Sequence, residues 1–163
     1  MAGPLNIIVA CSENRVIGRA GKLPWRIPED WEYFKSRTTR ATVILGRKSF
    51  ISWKSILDEE REAIVLTKNQ ALTAPHVQVA HSLDDAITQA RRLSRDIYIC
   101  GGQKIFEDAI KRPDVEFLHI TRIHATLEGD RFFPEWNNAF PRLIDERISQ
   151  DENYRYSFCV YGR

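Results

Sequence analysis

The chain has 163 residues, 43% of them hydrophobic, and 24 basic against 22 acidic side chains leave a net charge of +2. That length fits one domain spanning residues 1–163, large enough to bury about 70% of its unfolded surface, and eight Gly and seven Pro exclude collagen-like and low-complexity chains. The densest basic run is only Arg91-Arg92 and the longest early apolar stretch only Ile7–Cys11, which exclude a nucleic-acid binder, a secretory leader and a membrane span, and leave a soluble protein.

Leu5–Cys11 is the first strand-like run. Asn14–Leu23 follows as a long loop with Gly18 and Gly21, closed by Leu23-Pro24-Trp25 and able to act as a lid beside a pocket. Pro28–Arg37 is predicted to be a helix with Pro at its first position. Strand Thr42–Leu45 leads into a helix over Arg47–Ile56, and strands Ala63–Thr67 and Val77–Ala80 come next. The spacing Ser82-x-x-Asp85 opens a helix over Ser82–Leu93. Strand Asp96–Cys100 precedes a helix over Gln103–Lys111, with Ile105, Phe106, Ala109 and Ile110 on one side. After strand Val115–Ile123, Arg142–Ser149 and Tyr154–Tyr161 read as an antiparallel hairpin. Strands alternating with helices predict an α/β fold: a mostly parallel central sheet flanked by helices, with the C-terminal hairpin as an antiparallel edge. Ligands of such sheets bind beyond the carboxyl ends of the strands.

Three cysteines, Cys11, Cys100 and Cys159, form no CxxC and sit in apolar strand-like runs. They read as buried, reduced thiols of a cytoplasmic protein, with a catalytic cysteine as the alternative. His76, His81, His119 and His124 lack metal-ligand spacing, so no metal is expected.

Ile27, Trp31 and Phe34 form one apolar stripe at about 100° per residue, and Asp30 falls inside it. A carboxylate facing apolar surroundings is costly without a donor or a cation. One reading is a solvated first-turn acid, a role that Glu29 already fills. The favoured reading is a pocket carboxylate that holds a planar ligand with adjacent N–H groups. Desolvation would raise its pKa and suit it to proton handling.

Two strand-to-helix junctions suit phosphate. Gly46-Arg47-Lys48-Ser49 combines a glycine, two cations and a hydroxyl at a helix start, and Gly101-Gly102 lets backbone approach a ligand closely. There is no GxGxxG after the first strand and no GxxxxGK[ST], so an ordinary Rossmann dehydrogenase or P-loop enzyme is disfavoured.

In order, Ala10-x-x-x-x-Arg15-Val-Ile-Gly18, Leu23-Pro-Trp25, Pro28-x-Asp30-x-x-x-Phe34, Gly46-Arg47-x-Ser49-Phe50, Gly101-Gly102 and Glu128-Gly-Asp130-x-x-Phe133-Pro134 span nearly the whole chain. This series resembles bacterial-type, single-domain dihydrofolate reductase. The resemblance implies NADPH-dependent reduction of 7,8-dihydrofolate to tetrahydrofolate in a cytoplasmic monomer serving one-carbon metabolism. Asp30 would bind the pterin's amino edge and promote protonation at N5, with Thr121 bonded to its carboxylate and Leu23 and Trp25 completing the catalytic set. Ile8, Val9, Trp31, Phe34 and Cys100 would line the substrate pocket, and Arg61 would hold the substrate's glutamate carboxylate. Ala10, Ile17 and Gly18 would flank the nicotinamide. Gly46, Arg47, Lys48, Ser49, Thr67 and Lys68 would hold the phosphates, with Arg47 selecting the 2′-phosphate. Cys100, Gly101, Gly102, Gln103, Lys104, Ile105 and Phe106 would form the second cofactor loop, through a cis peptide at its glycines. Gly129-Asp130 would contact the Asn14–Leu23 loop.

The chain departs from the family pattern in three places. Gln103 replaces a third glycine and is expected to alter the first helical turn beneath the pyrophosphate. Leu57-Asp-Glu-Glu-Arg61 places Asp58, Glu59 and Glu60 beside Arg61, where they would weaken its hold on an anionic tail. Trp31 and Trp53 are bulkier than usual for the pocket. A reductase acting on another pteridine or on a riboflavin precursor is the alternative activity, and a non-catalytic nucleotide-binding protein is the alternative class.

Overall fold

The structure is a computed structural model that describes residues 3–53, 60–69 and 71–163. Ten strands and four helices occur among the described residues: β1 (Leu5–Ser12), β2 (Val16–Gly18), α1 (Pro28–Thr38), β3 (Thr42–Gly46), α2 (Arg47–Trp53), β4 (Glu62–Leu66), β5 (Val77–Ala80), α3 (Leu83–Arg91), β6 (Ile97–Ile99), α4 (Gln103–Ala109), β7 (Phe117–Ile123), β8 (Arg131–Phe132), β9 (Arg142–Gln150) and β10 (Arg155–Gly162). Eight strands form one sheet in the order β5-β4-β3-β6-β1-β7-β10-β9. All pairs from β5 to β7 are parallel, and β10 is antiparallel to both β7 and β9. The expected α/β architecture with a terminal antiparallel hairpin is the one found.

Strand alternation explains how this sheet is covered on both faces. Ile7, Ile44, Ile64, Ile97, Ile99, Leu118 and Ile120 turn to one side, where Leu83, Ala86, Ile87 and Ala90 of α3 and Ile105, Phe106 and Ala109 of α4 cover them. Their neighbours Ile8, Val43, Leu45, Val65 and Tyr98 turn to the other side, under Phe34 of α1 and Phe50 of α2. Helix α1 begins at Pro28, whose missing N–H is no loss in a first turn. Helix α3 is capped as its spacing predicts, since Ser82 Oγ accepts from Asp85 N at 3.0 Å.

Element bounds differ from the sequence reading by a residue or two, as frayed ends do. The predicted helix over Arg47–Ile56 is helical to Trp53, and residues 54–56 lie outside the described residues, as do Asp58 and Glu59. Two strands were not predicted. Val16–Gly18 pairs with Arg131–Phe132 as a separate two-stranded sheet whose register shifts between Val16 and Gly18. Two and three residues carry too little alternation to be read as strands.

Candidate active site

A cleft opens beyond the carboxyl ends of β1, β3 and β6. It is lined by Ile8, Val9 and Ala10 of β1, Ile17 of β2, Leu23 of the loop after it, and Asp30, Trp31, Tyr33 and Phe34 of α1. Ser49 and Trp53 of α2, Cys100, Gly102, Phe106 and Thr121 complete it. The aromatic wall is self-supporting, because Trp31 meets both Phe34 and Trp53 edge-on with centroids 6.2 and 5.9 Å apart.

Among the described residues, Asp30 is the only carboxylate in this lining. Thr121 sits where β7 follows β1 in parallel register, opposite Ala10, and its hydroxyl donates to Asp30 Oδ1 at 2.7 Å. Burial against the apolar wall pushes the Asp30 carboxyl up to about 6. The Thr121 hydrogen bond opposes that rise, and the negative charge of Glu29 adds to it. A carboxylic acid that titrates near neutrality inside an apolar cleft can both bind a planar N–H edge and store a proton.

Trp25 is 6% exposed and lies behind the cleft rather than in its lining, packed with Ile27, Ile123, Tyr156 and Phe158. Its Nε1 is buried with no partner among the described residues, an environment that suits a bound water. Arg61 also stands outside the lining. It is 4% exposed, and its Nε and Nη2 donate to Thr38 Oγ1 at 2.8 Å and the Lys35 carbonyl at 2.6 Å. It therefore secures the C-terminal end of α1, the helix that carries Asp30.

The two glycine junctions meet. Gly46 N donates to the Gly101 carbonyl at 2.8 Å, which brings the starts of α2 and α4 side by side at the cleft. The Gly101–Gly102 peptide is cis, as the resemblance implies. Gly101 has φ +110°, and a Cβ there would stand 2.8 Å from the Phe106 ring, so only glycine fits. Ser49 and Gly102 line the cleft, while Arg47 and Lys48 are exposed at its rim without an ion-pair partner among the described residues. Thr67 and exposed Lys68 follow β4, the neighbouring strand. Lys104 pairs with Asp108 at 3.3 Å, and Ile105 is buried under Gly46. Arg47 and Lys48, unpaired among the described residues, together with a hydroxyl, a helix start and bare backbone form a donor set matched to phosphate groups.

Gln103 corrects one expectation. The first turn of α4 remains helical, with Phe106 N bonded to the Gly102 carbonyl at 2.9 Å. The side chain acts elsewhere, since Gln103 Oε1 accepts from Phe132 N in β8 at 2.9 Å. The loop after β1 is held from the same quarter. Asp130 N donates to the Gly18 carbonyl at 3.0 Å, and Ala20 N to Asp130 Oδ2 at 3.2 Å. Gly129 lies so close that a Cβ would meet Val16 at 2.3 Å. Tyr33 was missed by the sequence reading, although it follows Asp30 by three residues and so shares its face.

A family model described as dihydrofolate reductase matches residues 4–163. The chain belongs to the dihydrofolate reductase family. It is similar to the dihydrofolate reductase of Staphylococcus haemolyticus, with 34% identity over 98% of this chain and 95% of that protein. The Bacillus subtilis dihydrofolate reductase is 33% identical over 98% and 94% respectively. A solved structure of dihydrofolate reductase from Enterococcus faecalis, complexed with NADP(H) and RAB-propyl, superposes with a TM-score of 0.88 at 35% identity, covering 100% of this chain and 98% of that one. In the dihydrofolate reductase fold of this chain, no helix among the described residues is long and apolar enough to cross a membrane, and no cluster of ligating side chains among them is placed to hold a metal.

Proposed function

We infer that the chain reduces 7,8-dihydrofolate to 5,6,7,8-tetrahydrofolate with NADPH. The observation that carries this reading is the placement of Asp30, the one carboxyl among the described lining residues of an apolar cleft, bonded to Thr121 and sharing that cleft with Ser49 and Gly102 of two glycine-built junctions. NADPH supplies a hydride when bound, delivered to C6 of the pterin. The protein supplies position and a proton.

Asp30 accepts hydrogen bonds from the pterin's 2-amino group and N3–H and promotes protonation at N5. Thr121 fixes the carboxyl plane, and Trp25 Nε1 offers a donor for a water beside the pterin. Trp31, Phe34, Ile8, Val9 and Cys100 exclude bulk water, which strengthens the Asp30 interactions. Cys100 serves as wall rather than nucleophile, since complete burial pushes its thiol far above the usual range. Arg47, Lys48, Ser49, Thr67 and Lys68 form the phosphate-binding group, with Arg47 on the 2′-phosphate. Arg61, buried beside the end of α1, is the cation for the substrate's glutamate carboxylate. The chain functions as one domain and a cytoplasmic monomer, a setting suited to its three buried free thiols.

The test is oxidation of NADPH and of NADH followed at 340 nm, with dihydrofolate and, separately, with another oxidised pteridine. Turnover of dihydrofolate with NADPH well above NADH is expected. Turnover of the other pteridine alone would replace this substrate assignment, and light scattering checks the monomer.

A further inference from the structure

We propose that Glu29 is a positioning residue for Asp30: the C-terminal hairpin captures its carboxylate, and through it fixes the first turn of α1 and presents a fixed negative charge to Asp30. The proposal rests on the reading of Asp30 as the proton-handling group.

A first-turn acid on an exposed helix needs only solvent and the helix N-terminus. Glu29 has far more. Its Oε1 accepts from Ser149 Oγ at 2.6 Å and from the Tyr156 hydroxyl at 2.7 Å, while Oε2 accepts from Arg147 Nη1 at 3.0 Å. The hairpin is built to present these donors. Ser149 and Tyr156 are cross-strand partners in the β9–β10 register, and Arg147 lies two residues before Ser149 on the same face. The Arg147 guanidinium is itself seated 4.4 Å over the Phe158 ring, opposite it in the ladder. Phe158 in turn pairs with Thr121 of β7, the residue that holds Asp30. Two consecutive carboxylates of one helix turn are thus fastened to one stretch of sheet, Asp30 to β7 and Glu29 to β9 and β10.

The electrostatics follow from this geometry. The three hydrogen bonds hold the Glu29 carboxyl down at about 2, so it is ionised at every working pH. Its charge disfavours a second anion next door and thereby favours the protonated form of Asp30. Among groups facing Asp30, β7 contributes the neutral Thr121 and α1 contributes Tyr33 and Glu29. The walls from β1 and its loop are apolar. From β9 and β10, Arg147 and Tyr156 act through Glu29, and Arg147 partly offsets its charge from farther out.

Replacing either member of the Glu29–Arg147 pair therefore moves Asp30 in opposite directions, which a purely structural tie would not do. The experiment titrates the Asp30 carboxyl in the full chain without substrate or cofactor, by carbon-13 NMR of labelled aspartate. The Asp30 signal is the one that disappears in Asp30→Asn. Glu29→Gln is expected to lower the midpoint by roughly 0.3–0.5 unit and Arg147→Gln to raise it by roughly 0.2–0.3, with the double variant returning near the parent. Tyr156→Phe removes a donor without changing charge, so the midpoint stays while KM for dihydrofolate rises about threefold. At pH 8, kcat/KM for dihydrofolate falls about twofold in Glu29→Gln and rises in Arg147→Gln, with NADPH affinity unchanged in both. Arg147 is 56% exposed and tolerates replacement, so its arm decides the matter even where Glu29→Gln does not fold. Midpoints that move the same way in folded single variants, or do not move, overturn the proposal. Absence of dihydrofolate turnover by the parent protein strikes the functional reading alone, because the midpoints are read without substrate.

Discussion

The two halves of the cleft are built on opposite principles. The Asp30 half gains its chemistry from burial: among the described residues, one carboxyl, an apolar wall and a single hydroxyl partner, Thr121 of β7. The Arg47 half gains its chemistry from exposure, with cations at a rim and backbone stripped of side chains at Gly46, Gly101 and Gly102. Burial shifts a pKa and leaves little room for substitution. An exposed rim discriminates ligands by charge. Changes in the first half are thus expected to alter rate and pH dependence, and changes in the second to alter cofactor affinity and selection.

The largest effect is expected at Asp30. Asp30→Asn keeps the shape and removes the proton, so turnover at pH 7 falls on the order of 10²–10³-fold with NADPH affinity held within about twofold. In the parent, kcat/KM declines as pH rises above about 6, where the acid form is lost, and that limb disappears in the variant. The same change stabilises the fold. A carboxyl whose folded pKa is raised binds more protons folded than unfolded, so its burden grows between about 4 and 6 and is complete above. Asp30→Asn is expected to raise stability at pH 7 by on the order of 2 kcal/mol, a gain that vanishes by pH 4 in thermal melts. An activity loss without that gain would mean that the carboxyl is not desolvated as the geometry implies.

At the rim, Arg47→Ala is expected to weaken NADPH about 30-fold and NADH by less than about threefold, as loss of one charge-assisted contact to a phosphate would. Equal losses for both cofactors, measured by fluorescence titration, would erase the contrast in selectivity between the halves. Thr121→Val returns to the buried half with a smaller change. Removing the donor that favours the ionised form raises the Asp30 pKa further, so the alkaline limb moves to higher pH while the low-pH plateau of kcat/KM drops about tenfold.

The sequence was legible where the pattern is local. Asp30 inside the Ile27–Trp31–Phe34 stripe, Ser82 before Asp85, and glycines at strand ends all lie within a few residues of what they imply. The sheet followed from the alternation of strands with helices. What escaped depends on partners far along the chain. Nothing near Glu29 announces Arg147, Ser149 and Tyr156, which the hairpin returns to it from more than a hundred residues away. Arg61 is expected to hold an anionic tail beside acidic neighbours, and nothing in that run announces that it is buried against Thr38 and Lys35. The β2–β8 pair is too short and irregular to show a period.

Gln103 gives the smallest effect and bears most directly on whether the halves communicate. It opens α4 at the phosphate junction, yet its carboxamide oxygen takes the N–H of Phe132 in β8. That strand pairs with β2, whose Ile17 lines the cleft and whose Gly18 carbonyl is held by Asp130. A side chain at the cofactor loop is therefore one hydrogen bond from the loop over the substrate half. Gln103→Ala leaves the Phe132 N–H to solvent, since Phe132 is 40% exposed, and costs only a neutral hydrogen bond. The expected result is a two- to fivefold weaker NADPH, with dihydrofolate affinity unchanged when no cofactor is present and reduced when NADPH is bound. The decisive measurement is dihydrofolate affinity with and without NADPH in parent and variant. A cofactor-dependent difference that shrinks in Gln103→Ala marks the hydrogen bond as a path between the halves, and an unchanged difference leaves them as two sites that merely share a cleft.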